Sequence, residues 1–444
     1  MLAFTWKINR LRPFFFFSAA KPHLAAKIRP QWFEGRKKRA SEKVNIIARI
    51  LSLNMDHFDV AVIGAGPAGS MAAKYAAKAG ASTILLEEHA GAGWPVQCAG
   101  LLGSQALAES ELAAGSFILR GMKGAAIFSP DGVRLDFKAQ DRRAWVVDRR
   151  LFDRALVEQA LEEEVVFRPC SRVQEFRLGG ERSILSLATG EEISAGVVIS
   201  AEGVSALLAR RAGIAAPQII LSGAQVEAAF SVEDRVKVEV HLGAAPGLFA
   251  WVIPLSEDRA RIGLCAVDQG CERLRAFLKS DLIRERLKGS PLALNVGGLP
   301  LGPPPVTAVE GLLAVGDAAG QVKPTSGGGI YPGLVAAKIA GGVAAAAALE
   351  ADPSASRLSE YDRLWRQAVG GELDIGMRLY RMMNKMSLAE KDELIGYIAS
   401  RPGLIKTIED YGDIDRPSKL MARMLPYLSW DAIRLARLLG YALG

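Results

Sequence analysis

The run Gly64-Ala65-Gly66-Pro67-Ala68-Gly69 has the spacing G-x-G-x-x-G, and an acid, Glu87, stands 23 residues after Gly64. Glycines so spaced let a backbone turn tightly and approach a pyrophosphate, whose charge is met by the N-terminus of the following helix. A carboxylate at the end of the next strand accepts hydrogen bonds from the adenosine ribose, and an acid there disfavours a ribose 2′-phosphate. That chemistry needs particular elements to position it. Asp59–Ile63 reads as an apolar strand, the Ala-rich stretch to about Ala79 as a helix, and Thr83–Leu86 as a second strand ending at Glu87. Strand, turn, helix, strand and acid fall at the spacing of a dinucleotide-binding unit, which predicts an α/β, Rossmann-type fold.

FAD and NAD proteins share this opening, so later stretches must choose between them. Val147-Asp148-Arg149 with Phe152-Asp153 and Leu156 resembles the V-D-R-x-x-F-D segment of flavoproteins related to the aromatic hydroxylases, which implies that Arg149 reaches the cofactor. Alone, such an arginine reads as an ion pair on the helix that begins near Arg150. Val198-Ile199-Ser200-Ala201-Glu202-Gly203-Val204-Ser205 resembles their A-D-G-x-x-S turn, with Glu202 for the usual Asp. Leu312–Gly320 resembles their late G-D motif, which implies that Asp317 meets the ribityl chain of FAD; alone, Asp317 reads as a helix N-cap. Next, Pro324-Thr325-Ser326-Gly327-Gly328-Gly329-Ile330 enters a helix. Glycines there let the backbone press against a flat ring, and the positive helix end suits the negative charge of a reduced flavin. The hydroxylases carry a His after the two alanines and an Asn beyond the glycines. Gly320 stands in place of that His, which weakens an aromatic monooxygenase reading.

Two further segments resemble the geranylgeranyl reductase family. Trp94-Pro95-Val96-Gln97-Cys98-Ala99-Gly100 is similar to its P-V-x-C segment. Pro246–Pro254 is similar to its P-x-x-Y-x-W-x-F-P lining, with Phe249 for Tyr and Ile253 for Phe. After the cysteine the family often has an acid and a glycine, where this chain has Gly100-Leu101. The resemblance implies FAD-dependent reduction of carbon–carbon double bonds in geranylgeranyl chains of archaeal-type glycerophospholipids. Prenyl tails of quinone or chlorophyll precursors are neighbouring substrates. An aromatic monooxygenase and a flavoprotein carrier without chemistry on the chain are the other classes. By resemblance, Ala68, Glu87, Cys98, Ala99, Arg149, Val173, Asp317, Gly329 and Ile330 contact FAD, beside Gly64, Gly66 and Gly69 of the turn. Phe249, Trp251 and Pro254 line the substrate pocket. An isolated alkene has no carbonyl to polarise it, so hydride addition at one carbon requires a proton at the other. Free thiols are mostly protonated at neutral pH, which makes Cys98 a candidate proton donor or positioning residue; the plain alternative is a small packed hydrophobe. No second G-x-G-x-x-G is present, so the electron donor is expected from outside: ferredoxin, a reduced deazaflavin or a nicotinamide.

The rest of the chain bounds these readings. With 444 residues, half of them hydrophobic, two or three structural units are expected. The net charge of +7 is concentrated in residues 1–54, which hold 12 Lys and Arg against two acids; the remainder carries 43 basic and 46 acidic side chains. A near-neutral body argues against nucleic-acid binding. Residues 1–54 read as a basic leader or an overextended gene start with Met55 as the true beginning, and as a poor secretion signal. Four scattered cysteines and four scattered histidines suggest neither disulfides nor a metal site, and a cytoplasmic setting fits, with peripheral membrane contact at most. Residues 55–350 are expected to form a discontinuous FAD-binding domain, with an antiparallel substrate sheet inserted at about 215–300. Gln225–Ser231, Val236–Leu242 and Phe249–Ile253 are its strands. Val165–Val173 reads as a strand carrying Cys170. Residues 351–444 read as helical, with Tyr361, Trp365, Leu373, Met377 and Tyr380 on an apolar face that packs on the flavin domain or covers a lipid tunnel.

Overall fold

The computed structural model describes residues 55–180 and 182–428; the expected leader, residues 1–54, lies outside them. Asp56–Ile63 forms the first strand, pairing in parallel with Thr83–Leu86 on one side and Glu192–Ser200 on the other. Leu312–Ala314 and Val166–Arg168 extend the parallel sheet at its two ends. Both faces are covered, which is why these strands read as continuous apolar runs instead of alternating. Val60, Val62 and Leu85 pack into one layer and Ala61, Ile84 and Leu86 into the other.

Helix Pro67–Lys78 follows the glycine turn, and helix Ile330–Leu349 lies against it. Small residues permit the approach: a Cβ at Gly341 would stand 2.4 Å from the carbonyl oxygen of Ala72. Among the described residues Ile330–Leu349 is the one helix long and apolar enough to cross a membrane, yet 61% of that apolar window is buried inside the fold.

A second sheet has seven strands in the order Ala293–Leu301, Ile219–Ala229, Arg259–Ala266, Gly247–Pro254, Lys237–His241, Gly124–Phe128 and Arg134–Lys138. The last two strands come from before the expected insertion and join it through a parallel pairing of Lys237–His241 with Gly124–Phe128. A three-stranded sheet of Leu101–Gly103, Ala144–Val147 and Ile118–Met122 lies beside the Cys98 segment in sequence.

Val165–Val173 is not one strand. Strands occupy Val166–Arg168 and Val173–Arg177. Pro169 lacks the N–H a ladder needs, and Cys170 turns with φ +54°, its N–H donating to the His89 carbonyl at 2.9 Å.

The C-terminal helices begin with Ala355–Trp365, whose Tyr361 and Trp365 are fully buried. Tyr361 donates to the Ala314 carbonyl at 2.9 Å, and the Trp365 indole to the Thr307 hydroxyl at 2.9 Å. This helix is therefore pinned beneath the strand that leads to Asp317. Gly371–Lys385, Leu388–Ala399, Pro402–Tyr411 and Pro417–Leu428 follow. Leu373, Met377 and Tyr380 are buried, as packing on the body requires.

Candidate active site

The strand, turn and helix at residues 56–78 present the glycines for distinct steric reasons. Gly64 has φ +101°, and a Cβ there would lie 2.4 Å from the Ala201 carbonyl oxygen. A Cβ at Gly66 meets no atom within 4 Å, so the space above it is open. That space belongs to a cavity of about 760 Å³. Gly64, Gly66, Ala68, Gly69, Glu87, Cys98, Ala99, Arg149, Val173, Asp317, Gly329 and Ile330 all border it, as do Phe249 and Trp251.

Pro254 does not. The strand is irregular between Gly247 and Ala250, where Leu248 and Phe249 both reach the cavity. Beyond that, side chains alternate, so Trp251 and Ile253 face the cavity while Pro254 turns to the other side of the sheet beside Ala260.

Glu87 closes its strand with both carboxylate oxygens engaged. Oε2 accepts from the Ala65 N–H at 2.9 Å, bracing the glycine turn, and Oε1 accepts from the His89 N–H at 2.9 Å. Arg149 opens helix Arg149–Leu161, which Asp148 caps. Its Nε and Nη2 donate to Asp153 at 2.8 and 2.9 Å, so the intrahelical ion pair of the plain reading exists, but it is buried at the cavity wall. Burial opposes the Arg149 charge, while Asp153 and the adjoining Cys98 outweigh it and raise its pKa.

Asp317 is no N-cap: it lies inside the 3-10 turn Gly316–Ala319, whose N-cap is Val315. It borders the cavity at the end of the Leu312–Ala314 strand, with Oδ1 2.7 Å from the position a Gly329 Cβ would take. Burial raises its pKa, partly offset by Arg149. A deep carboxylate facing the cavity without a donor among the described residues suits a ligand that brings hydroxyl groups. Lys323 donates to the Gly328 carbonyl through its backbone N–H at 3.2 Å and accepts from Gly327 at 2.9 Å, so it frames the glycine loop. These features fit a flavin dinucleotide: open space over the turn, a hydroxyl-seeking carboxylate, and glycines bare toward the cavity.

The opposite wall is the seven-stranded sheet. Trp251 lies over Gly263, whose added Cβ would fall 2.6 Å from the indole, and packs edge-on to Phe249 at 6.3 Å. Gln225 donates to the Cys98 carbonyl at 3.0 Å. The Gln225 Oε1 and Trp251 Nε1 are buried without partners. Cys98 stands where the polar and apolar walls meet. Cys265 also borders the cavity, and burial pushes its thiol up to about 12. Sequence reasoning missed Gln225, Cys265, Lys323 and Ser326 here; Gln225 shares its strand with Ser222 and Glu227, so nothing in the local pattern singles it out.

Among the described residues no cluster of three or more His, Cys, Asp or Glu could hold a metal ion.

Comparison with known proteins gives the fold and the lineage. A geranylgeranyl bacteriochlorophyll reductase-like protein from Thermoplasma acidophilum superposes with TM-score 0.73 at 24% identity, covering 84% of this chain and all of that one. A flavin-dependent brominase superposes with TM-score 0.64 at 16% identity, over 84% of this chain and 99% of that one. Residues 59–395 match the family described as lycopene cyclase protein. The digeranylgeranylglycerophospholipid reductase of Methanocaldococcus jannaschii is 36% identical over 355 residues, 76% of this chain and 90% of that one. A reductase of the same name from Methanopyrus kandleri is 32% identical over 368 residues, 79% of this chain and 97% of that one. Fold, site and relatives together define a flavin-dependent oxidoreductase. Within that class, the chain belongs to the digeranylgeranylglycerophospholipid reductase family.

Proposed function

We propose that the protein uses FAD to reduce carbon–carbon double bonds in the geranylgeranyl chains of isoprenoid glycerophospholipids. One observation carries the reading: a single cavity joins a dinucleotide cradle to an apolar sheet wall, with Cys98 between them. Relatives named for this reaction, similar over most of their length, support the substrate class.

FAD, when bound, would supply hydride to one alkene carbon. The protein has to do the rest. Gly66 and the start of helix Pro67–Lys78 would hold the pyrophosphate, Glu87 the ribose and Asp317 the ribityl hydroxyls. Leu248, Phe249 and Trp251 would lay the chain along the apolar wall and exclude water. Cys98 would deliver the proton to the more substituted carbon, where cationic character develops, and recover it from solvent afterwards. Electrons must arrive from an external donor, of the ferredoxin, reduced deazaflavin or nicotinamide type.

Denatured protein should release FAD, and the reduced enzyme should convert geranylgeranyl glycerophospholipid to a product richer by one H₂ per bond. Oxygen consumption stimulated by a phenol, with no lipid product, would establish a monooxygenase instead.

A further inference from the structure

Beside the first cavity lies a second, of about 710 Å³. The two share Trp94, Pro95, Arg149 and Asn295. Three further arginines, Arg150, Arg259 and Arg261, line the second one among Asp148, Glu227 and Asp258. Most of these cations are matched. Arg259 lies 3.4 Å from Glu227, and Arg149 is committed to Asp153. Arg150 lies 3.7 Å from Asp148 and sits over the half-exposed Trp94 ring at 5.3 Å.

Arg261 differs. It is 8% exposed, on a strand whose other residues are mostly apolar. Its Nη1 donates to two neutral carbonyls, Ala99 at 2.8 Å and Val147 at 3.1 Å. No carboxylate among the described residues forms an ion pair with it, and among those residues its Nε and Nη2 make no hydrogen bond, although the side chain borders the cavity. Burial lowers its pKa, so the site as it stands disfavours a charge that arginine does not give up. Its hydrogen bonds go only to carbonyls, and Glu227 and Asp148 act on it at longer range without pairing. A directly bound anion would therefore complete a buried cation that is otherwise costly. The guanidinium fork matches two oxygens of a phosphate.

We propose that the second cavity binds the phosphate of an anionic lipid head group, with Arg261 as the inner ligand and Arg150 at the mouth, while the isoprenoid chain lies in the first cavity. This rests on the reading of the protein as a reductase of geranylgeranyl lipids and names the part of the substrate that fixes its register. Because Arg261 also holds the Ala99 carbonyl, head-group capture is sensed one residue from Cys98.

The test compares a phosphate-bearing geranylgeranyl lipid with geranylgeraniol on the flavin-loaded full chain. Arg261→Met should raise KM for the phosphate lipid about tenfold or more, with kcat within about threefold, and leave KM for geranylgeraniol unchanged. Arg150→Gln should act in the same direction but less, and Arg261→Lys should recover part of the loss. Equal losses on both substrates would overturn the proposal and leave Arg261 as a brace for the Cys98 loop. Calorimetry separates this outcome from failure of the reductase reading. If no geranylgeranyl compound is reduced, binding of sn-glycerol 1-phosphate that Arg261→Met abolishes still sustains the anion site, and no binding overturns it. Inorganic phosphate displacing the lipid at equal concentration would assign the site to a free anion and overturn the head-group assignment.

Discussion

The ammonium of Lys323 lies 2.5 Å from Oδ1 of Asp415, a carboxylate only 1% exposed and 92 residues further along the chain. The other oxygen of Asp415 accepts from the N–H groups of Gln105 and Ala106 at 3.1 and 3.2 Å. One buried side chain thus ties the C-terminal helices to the glycine loop and to helix Ser104–Glu109. Asp415→Ala leaves Lys323 buried without its counter-ion and should cost about 3–5 kcal/mol. Denaturant midpoints measure this, and a change below about 1 kcal/mol would show the pair to be idle. Removing both charges with Lys323→Met and Asp415→Leu should recover part of the loss.

Glu111 joins the two packed helices of the dinucleotide domain. It accepts from Lys74 at 2.8 Å, from Tyr75 at 2.5 Å and lies 2.7 Å from the Lys338 ammonium. Burial would raise its pKa, but Lys338, Lys74 and Tyr75 outweigh that and lower it to about 2. A depressed carboxylate adds stability above its unfolded pKa and loses it as pH falls toward the folded value. Glu111→Gln should therefore destabilise by about 1–2 kcal/mol at pH 7, after allowance for solvent screening. The difference from the unaltered protein should shrink between about pH 4.5 and pH 2. A difference independent of pH would contradict this.

Asp317 has its pKa raised by burial. Hydroxyl donors from a bound flavin favour the ionised carboxylate, so cofactor binding should release a proton and tighten as pH rises through that raised value. Asp317→Asn should bind flavin about tenfold or more weakly and lose this pH dependence, read by fluorescence titration. Gly329→Ala offers an independent steric check, because its Cβ would press on the same oxygen.

Two thiols border the cavity, and only one adjoins Arg149. Cys98→Ala should lower alkene reduction by about 10²-fold or more while flavin stays bound. Cys265→Ala should change the rate by less than about threefold. The reverse order would move the proton-donor role to the sheet wall.

Much of this site was legible because its residues sit at element ends. Gly64 and Glu87 directly follow strands of the parallel sheet and Asp317 lies in the turn just beyond a third, where local pattern and spacing suffice. Pro254 does not border the cavity, because a motif names consecutive residues, whereas beyond Ala250 the strand sends alternate ones to opposite faces. Pairing across long sequence separations was not legible. Nothing near Lys323 announces Asp415, and nothing near Lys237–His241 announces its parallel partner Gly124–Phe128. Arg261 was visible as a charge two residues after Arg259 in an otherwise apolar strand, but its lack of an ion-pair partner among the described residues is a three-dimensional fact.

The most direct test is a single anaerobic turnover. Full-length protein loaded with FAD and reduced with one equivalent of dithionite is mixed with geranylgeranyl glycerophospholipid, and flavin absorbance and lipid mass are followed together. The account predicts oxidised flavin and a lipid heavier by one H₂, formed one for one. Flavin that stays reduced beside unchanged lipid, and reoxidises only on admission of oxygen, would contradict it.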